Sequence, residues 1–462
     1  MPEPDMSSGC PFTPPYPRPL KHKAGLVTRF VTGWNSWIHT LFEKSYSMKL
    51  GQFRVPTEQF FVVNELPLVA QVMDDSEKQY PKHRLMNDML DPLLGRSVFS
   101  TNGKLWEDQR RMINPAFLHT NLARAFPAMA ASASDLIALF HAQDLTRPVD
   151  IDPLMTHVTA DVIFRTMFGM TLSQAESARV YAAFNRYQAL VQPAMILQLY
   201  GLPRFGLRRR MKRAAAEVHA LFAPIIAARL ALLAGGGEKP ADILQALIDA
   251  RHPETGEPFS EQDLLDQLSI VFLAGHETSA SALGWTLYLL SECPDWQERL
   301  HAEIEAVTGG QPLTHDHLKR LDGLRNLFRE GLRLYPPVSF FLREVTRPQQ
   351  MRGKPMAPGD VLVVSPWLIQ RNADNWQCPH SFDPDRFADE ANADAVRNAW
   401  LPFGRGPRVC IGAGFAQQEA MLILAEVVRA FRLAHPPGRR PEVVSRLTLR
   451  PRHGIPLILT RR

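Results

Sequence analysis

The stretch SEQDLLDQLSIVFLAGHETSASALGWTLYLLSEC runs from Ser260 to Cys293 and stops before Pro294. Ser260 with Asp263 three residues on resembles a capping box, so the pattern predicts one helix over the whole stretch. At a rise of ~1.5 Å per residue that helix is about 50 Å long, enough to cross a domain. Its middle, Ile270 to Ala274, is apolar on every side, which predicts burial all round. Other elements must wrap it. Into this buried run the sequence places Gly275, His276, Glu277, Thr278 and Ser279. Glycine weakens a helix and a threonine hydroxyl can bond back to the preceding turn, so a local kink is expected. Such breaches of local rules tend to mark functional sites. The structural alternative is a helix crossing at Gly275, with Glu277 in a salt bridge elsewhere.

The rest of the chain supplies the wrapping. Of its 462 residues 45% are hydrophobic and 21% charged, enough for a large core and an internal pocket. Helical patterns dominate from Leu66 to about Ala250. They break at Gly235-Gly236-Gly237, before a short helix at Asp242–Ala250, and resume from Ser260 to about Leu334. Strand-like alternation occupies Met48–Val63. Past Leu334 short strands are expected, such as Val361–Ser365 after the turn Pro358-Gly359-Asp360. A further helix is expected over Gln417–Arg432, then LTLRPRHGIPLIL as a final hairpin. The expected class is mainly α with minor β.

Residues 1–25 are Pro-rich with no apolar run, so they are expected to be a loosely ordered leader, neither signal peptide nor membrane span. The apolar stretch that follows, GLVTRFVTGWNSWIHTLF, is broken by Arg29, Asn35, Ser36 and His39. It reads as an amphipathic helix on the body, with a surface-lying membrane helix as the alternative. No transmembrane anchor is expected. A net charge of +5 without a long basic tail does not demand nucleic acid, though it allows a basic patch for an acidic protein. The four cysteines lie far apart, which points away from a secreted disulfide framework and toward a reducing, cytoplasmic setting.

One cysteine stands apart. FGRGPRVCIG, residues 403 to 412, sets Cys410 among glycines and arginines with no second cysteine nearby. A structural zinc site or a dithiol redox site needs more ligands or a partner. Taken singly, Cys410 is as readily a buried inert thiol.

With other segments, the loop identifies a resemblance. FGRGPRVCIG resembles the haem-binding loop of the cytochrome P-450 family, Phe-x-x-Gly-x-Arg-x-Cys-x-Gly. AGHETS at 274–279 is similar to that family's oxygen-activating helix segment, and EGLR at 330–333 to its Glu-x-x-Arg. FDPDRF at 382–387 is similar to the segment giving a second arginine, and WEDQR at 106–110 to its Trp-x-x-x-Arg helix. The five occur in the family's order across nearly the whole chain. The resemblance implies the cytochrome P-450 fold: a single large triangular haem domain over residues 26–462, with a long central helix and a small β region.

It also implies roles. Cys410 would ligate haem iron as thiolate, with Phe403 shielding the sulfur and Gly406 and Gly412 letting backbone N–H groups point at it. Trp106, Arg110, Arg343 and Arg408 would bind the haem propionates. Glu330, Arg333 and Arg386 would form a structural charge cluster below the haem. Thr278 and Glu277 would deliver protons, while Ala274 and Gly275 leave room beside the haem for dioxygen and substrate; His276 has no assigned role. Phe272, Ala274, Ser339, Phe340 and Phe341 would line a pocket for a hydrophobic small molecule, with fatty acids, alkanes or terpenoids favoured. The cofactor would be haem b and the co-substrate O2. Electrons would come ultimately from NAD(P)H through a ferredoxin or flavodoxin and a reductase, docked on a basic face formed by Arg110, Arg111 and Arg405. The implied activity is hydroxylation. The alternatives are a haem-thiolate peroxygenase, isomerase or sensor, or a metal-free helical binding protein.

Overall fold

A computed structural model describes residues 12–462, apart from 76, 172, 173 and 439 and the side chains of 119, 174–178 and 181. Among the described residues the helices are, in order, α1 (Leu26–Gly33), α2 (Leu66–Asp74), α3 (Arg84–Leu94), α4 (Gly103–Ile113), α5 (His119–His141), α6 (Asp152–Phe168), α7 (Gln174–Leu199), α8 (Leu207–Ala234), α9 (Ile243–Asp249), α10 (Glu261–Ser291), α11 (Pro294–Thr308), α12 (His315–Leu318), α13 (Asp322–Leu334), α14 (Pro366–Ile369), α15 (Ala393–Ala399) and α16 (Ala413–Ala430). The strands are β1 (Leu50–Arg54), β2 (Gln59–Val63), β3 (Val149–Asp150), β4 (Phe341–Glu344), β5 (Gln349–Met351), β6 (Lys354–Met356), β7 (Val361–Val364), β8 (Phe431–Ala434), β9 (Val443–Ser445), β10 (Leu449–Pro451) and β11 (Pro456–Arg461). The fold is mainly helical with small sheets.

The central helix is α10. Ser260 caps it: its Oγ accepts from Asp263 N–H at 3.1 Å, and its own N–H donates to the Asp263 carboxylate at 3.1 Å. Helices α3, α6, α8, α13 and α16 pack around it. The helix continues unbroken through Gly275, so the expected kink does not interrupt it. Gly275 marks the crossing with α6, because a side chain there would strike Ile163, with Cγ1 at 2.7 Å. Thr159 of α6 ties the crossing by donating to the His276 carbonyl at 3.0 Å. The expectation that Gly275 opens space beside the haem is therefore corrected: its missing side chain lets two helices approach.

The main core draws on residues from Ile38 to Leu459. A second core lies between α2 and the four-stranded sheet β1-β2-β7-β4 and includes Phe61, Val69, Val72, Leu362 and Trp376. In that sheet β2 and β7 run parallel and the other pairings are antiparallel. Strand β7 is buried at every position, as befits an inner strand reading Val-Leu-Val-Val.

Two expectations need correction. The final hairpin does not form: β10 pairs with β9, while β11 joins β3 and β8. The Asp150 carboxylate accepts from Ile455 N–H at 2.9 Å and Ile151 N–H donates to the Ile455 carbonyl at 3.0 Å, drawing the last strand away. The leader is also shorter than expected, because residues 12–25 are stitched to the body. Phe382 N–H donates to the Phe12 carbonyl (2.8 Å), Tyr335 donates to the Pro15 carbonyl (2.7 Å), and Tyr16 stacks on His380. Residues 1–11 lie outside the described residues. Within α5 and α8 the segments Thr120–His141 and Leu207–Ala234 are long and apolar enough to cross a membrane by length and composition. Here α5 packs on α6 and α16, and α8 on α7, α3 and α10.

Candidate active site

The loop carrying Cys410 owes its shape to two glycines with left-handed backbone, Gly404 at φ 73° and Gly406 at φ 72°. A side chain at Gly406 would also collide with the Met73 carbonyl and stand 2.8 Å from Asp74 Cα. The loop therefore lies directly against the end of α2, where Arg405 pairs with Asp74 at 2.9 Å. Cys410 N–H donates to the Phe403 carbonyl at 2.9 Å, and Gly412 N–H donates to the sulfur. The Phe403 ring packs edge-on to Trp400, 5.9 Å away. Gly412 has an ordinary φ of −88°, and nothing stands within 4 Å of where a side chain would begin, so the curl does not require a glycine there.

The surface of Cys410 is exposed, yet enough protein surrounds it that burial raises its thiol, against the pull of Gly412 N–H and Arg110. The two observations agree if the sulfur faces an internal slot. Ala274 supports this: it is exposed at the middle of α10 although Leu273, His276 and Glu277 are buried.

Cations converge beside the cysteine. Arg110 donates to the Val409 carbonyl (3.0 Å) and to Asn114 (2.8 Å). Arg408 lies over the Trp106 ring at 4.0 Å and donates to Asn102 (2.8 Å) and the Thr101 carbonyl (3.2 Å). Arg343, only 5% exposed, donates to the Leu342 carbonyl at 3.2 Å. Lys82, which sequence reasoning missed, donates to the Phe99 carbonyl at 2.6 Å. Burial lowers all four. Arg343 and Arg408 fall to about 10, Arg408 also through repulsion from Arg343; Arg408, Arg343 and Arg110 repel Lys82 further. The Asp75 carboxylate opposes this for Arg343 and Arg408, and Glu107 adds to it for Arg408. Four cations against two acids, of which Glu107 is already paired with Lys78, form a costly arrangement unless further anions join them. A group with two carboxylates fits the place, as the haem propionates would.

A chain of bonds holds the loop from the other side. Glu330 meets Arg333 at 2.6 and 2.8 Å and Arg386 at 3.1 Å, all three fully or nearly fully buried. Arg333 donates to the Gln370 carbonyl at 2.7 Å, and the Gln370 side chain accepts from Leu401 N–H at 2.7 Å, two residues before the cysteine loop.

On α10 the two proton-delivery residues diverge. Thr278 donates to the Ala274 carbonyl at 2.7 Å, placing its hydroxyl beside the exposed alanine. Glu277 points away, to Arg450 at 2.6 and 2.9 Å and to the Thr448 hydroxyl at 2.6 Å. Burial favours its protonation, but Arg450 outweighs burial and holds the carboxyl at about 2. The expectation that Glu277 relays protons is corrected: it is a carboxylate locked in an ion pair. The acid with the opposite property is Glu419 on α16. Burial pushes it up to about 8, the Ser279 hydroxyl beside it lowers it only partly, and no cation opposes the burial. Its place was not legible in the sequence, since only the packing of α16 on α10 sets it beside Ser279.

The expected pocket residues separate too. Phe272 is buried between Phe184, Phe222 and Phe164, with centroids 5.2 to 5.9 Å away, and belongs to the core. Ser339 is likewise no pocket residue. It is buried, with hydrogen bonds to Ser445, Ser365 and Trp37. Phe340 meets Trp37 edge-on at 5.2 Å. Phe341 reaches the cysteine loop: its ring would stand 3.6 Å from a side chain at Gly404. Ala274 and Phe341 are thus the two expected residues that border open space or the loop.

The cytochrome P-450 family model matches residues 14–457. Cyclooctatin synthase from Streptomyces melanosporofaciens is 31% identical to this chain, the match covering 84% of each. Cyclooctat-9-en-7-ol 5-monooxygenase from the same organism is 32% identical, covering 76% of this chain and 75% of the relative. 11-oxo-beta-amyrin 30-oxidase from Glycyrrhiza uralensis is 31% identical, covering 83% and 75%. The solved cytochrome P450DA heme domain superposes with a TM-score of 0.82 over 97% of this chain and 98% of the other at 24% identity, a likeness of fold.

The Glu277 ion pair yields a signed pH dependence. Its folded value, about 2, lies below the ordinary 4.5, so its contribution is complete above pH 4.5 and disappears as the pH falls toward 2. Glu277→Gln should cost about 3 kcal/mol at neutral pH. Urea unfolding should show parent and variant converging as the medium is acidified; a gap independent of pH would contradict the ion pair.

Proposed function

Because the chain belongs to the cytochrome P-450 family, we propose that it oxidises a terpenoid with Cys410 as the thiolate ligand of haem iron. The family makes it a haem-thiolate monooxygenase, with haem b as cofactor, dioxygen as co-substrate and redox partners carrying electrons from NAD(P)H. The observation that carries the assignment of the site is the cation cluster beside the cysteine, which lacks enough protein carboxylates to balance it.

Bound haem supplies the dioxygen chemistry: one oxygen atom enters the substrate and the other leaves as water, consuming two electrons and two protons. Arg110, Arg343, Arg408 and Lys82 would hold its two propionates, and the Trp106 ring fixes the Arg408 guanidinium. Gly412 N–H and Arg110 favour the Cys410 thiolate, the form that ligates iron. Thr278, turned from the Ala274 carbonyl about χ1, holds a water or passes a proton toward the slot. Glu419 keeps a proton at neutral pH and hands it on through Ser279; Glu277 stays with Arg450. The terpenoid assignment rests on the relatives named for cyclooctat-9-en-7-ol and 11-oxo-beta-amyrin, and on the apolar side chains at Ala274 and Phe341.

The electron donor is an acidic ferredoxin or flavodoxin in the cytoplasm. Of the three arginines expected to greet it, Arg405 is paired with Asp74 and Arg110 is bonded to the cysteine loop, which leaves the exposed Arg111.

Four measurements test this reading. Protein reduced in the presence of carbon monoxide should absorb near ~450 nm, and Cys410→Ser should lose that band. The same preparation should hydroxylate a cyclic terpenoid alcohol with NAD(P)H, a reductase and a ferredoxin; turnover on hydrogen peroxide alone would favour a peroxygenase. Glu419→Gln should lower product formed per electron by about 10²-fold, release peroxide instead, leave KM unchanged, and abolish a fall in kcat above about pH 8. Unchanged coupling would remove Glu419 from proton delivery. Arg111→Glu should slow reduction by the ferredoxin about tenfold at low salt and little at high salt; an unchanged rate at low salt would place the docking site elsewhere.

A further inference from the structure

Cys378 is disulfide-bonded, whereas Cys293 and Cys410 are free. The chain has four cysteines, so the remaining partner within it is Cys10. Cys10 lies outside the described residues, and the chain that follows it sets how far it can reach. Phe382 N–H donates to the Phe12 carbonyl at 2.8 Å, and the Thr13 and Ser381 hydroxyls lie 3.2 Å apart. Phe12 and Thr13 thus run beside residues 381 and 382. Ser381 N–H donates to the Cys378 carbonyl at 3.0 Å, closing a turn that brings Cys378 back toward the same place. Cys10 is two residues before Phe12, and two residues of extended chain span at most ~7 Å. A disulfide needs its Cα atoms within about 6.8 Å of each other, which so short a tether allows.

The turn that carries Cys378 is also the cradle of the buried charge cluster. The Gln377 carbonyl accepts from Arg386 at 3.0 Å, the Pro379 carbonyl from Arg333 at 2.7 Å, and the Ser381 carbonyl from Arg333 at 2.8 Å. Those guanidiniums enclose Glu330, and Arg333 reaches Leu401, two residues before the Cys410 loop, through Gln370. Cys378 itself has left-handed backbone, φ 42°, an uncommon conformation for a residue with a side chain. Its surroundings therefore hold the turn in shape against local preference. A crosslink at Cys378 bears directly on carbonyls that hold two buried cations.

We propose that Cys10 and Cys378 form a reversible clasp, which ties the N-terminal segment to this turn when oxidised and releases it when reduced. The oxidant is hydrogen peroxide and the reductant a dithiol. One thiolate attacks the peroxide O–O bond, becoming a sulfenic acid and releasing hydroxide, which takes up a proton as water. The second thiolate attacks that sulfur; the S–O bond breaks, a second water leaves and the S–S bond forms. Two thiols and one peroxide thus give one disulfide and two waters, the two sulfurs together losing two electrons. A dithiol reverses the step by thiolate exchange and is itself oxidised to a disulfide. A single crosslink between the start of the chain and a turn is no disulfide scaffold, and Cys378 is half-buried, within reach of both reagents. Cys293 is unsuited to the same chemistry, because burial, with Glu292 and Asp295 nearby, pushes its thiol up to about 12. The clasp is independent of the haem and terpenoid assignments.

Peptide mapping of the haem-loaded protein under non-reducing conditions tests the pairing. After hydrogen peroxide a peptide joining Cys10 to Cys378 should be present, and dithiothreitol should remove it. Trypsin should cut after the exposed Lys21 and Lys23 at least about tenfold faster in the reduced protein. Reduction should also lower the unfolding temperature by at least about 3 °C. Cys10→Ser and Cys378→Ser should each match the reduced parent under either condition, while Cys293→Ser should still respond as the parent does. Helical circular dichroism checks that every variant is folded, with or without haem. Alkylation of both Cys10 and Cys378 after peroxide treatment would overturn the pairing, as would a dimer linked through Cys378 of two chains. A linked peptide with equal cleavage rates and unfolding temperatures in the two states would overturn the clasp.

Discussion

A carboxylate enclosed by two guanidiniums governs where the cysteine stands. Glu330 meets Arg333 and Arg386 in the interior, and Arg333 extends that hold to the Gln370, Pro379 and Ser381 carbonyls. Gln370 passes it to Leu401, two residues before the Cys410 loop. Each charge in this relay is buried at considerable desolvation cost, so removing one partner strands the others. The arrangement holds because every strong donor and acceptor in it is occupied. A loop that must present one sulfur in a fixed direction needs such a support, since its own glycines resist little bending.

The site behind that loop works by charge that the protein leaves unbalanced. Arg110, Arg343, Arg408 and Lys82 crowd together against Asp75 and Glu107. Their mutual repulsion is a reserve that an anionic cofactor would relieve, and haem bound as proposed would then be coupled to the stability of the region. The acids near α10 follow a similar logic with opposite outcomes. Arg450 keeps Glu277 ionised, whereas burial with only a serine for company keeps Glu419 protonated. Two carboxyls at the same helix thus hold opposite protonation states at neutral pH because one has a cation and the other does not. The first acts as structure. The second can give up a proton.

Much of this was legible in the residues. The capping box of Ser260 and Asp263, the strands at 50–54 and 59–63, the turn before β7 and the short helix after Asp242 all follow from local pattern, and local interactions form them. The meeting of Glu330 with Arg333 follows from helical spacing. The failures share one cause: the direction of a side chain around an element depends on its neighbours. Gly275 and Phe272 sit on the buried faces of α10, while Ala274, one residue away, borders the slot. The hairpin expected at the end of the chain yielded to Asp150, some 300 residues distant in sequence. Ser339 was drawn into hydroxyl contacts with Ser445 and Ser365, which no local pattern announces.

The sequence by itself determined the long buried helix, the class of fold and the family, and it singled out the cysteine proposed to bind iron, because periodicity, caps and an ordered set of short motifs are written in adjacent positions. The tertiary structure alone decided which acid keeps a proton, since that depends on whether Arg450 or only Ser279 stands beside it. It likewise decided that Lys82 joins the cation cluster and that the Pro-rich residues 12–25 belong to the body. Each is set by what distant segments bring within a few ångströms, where burial and charge act, and no spacing along the chain encodes that distance.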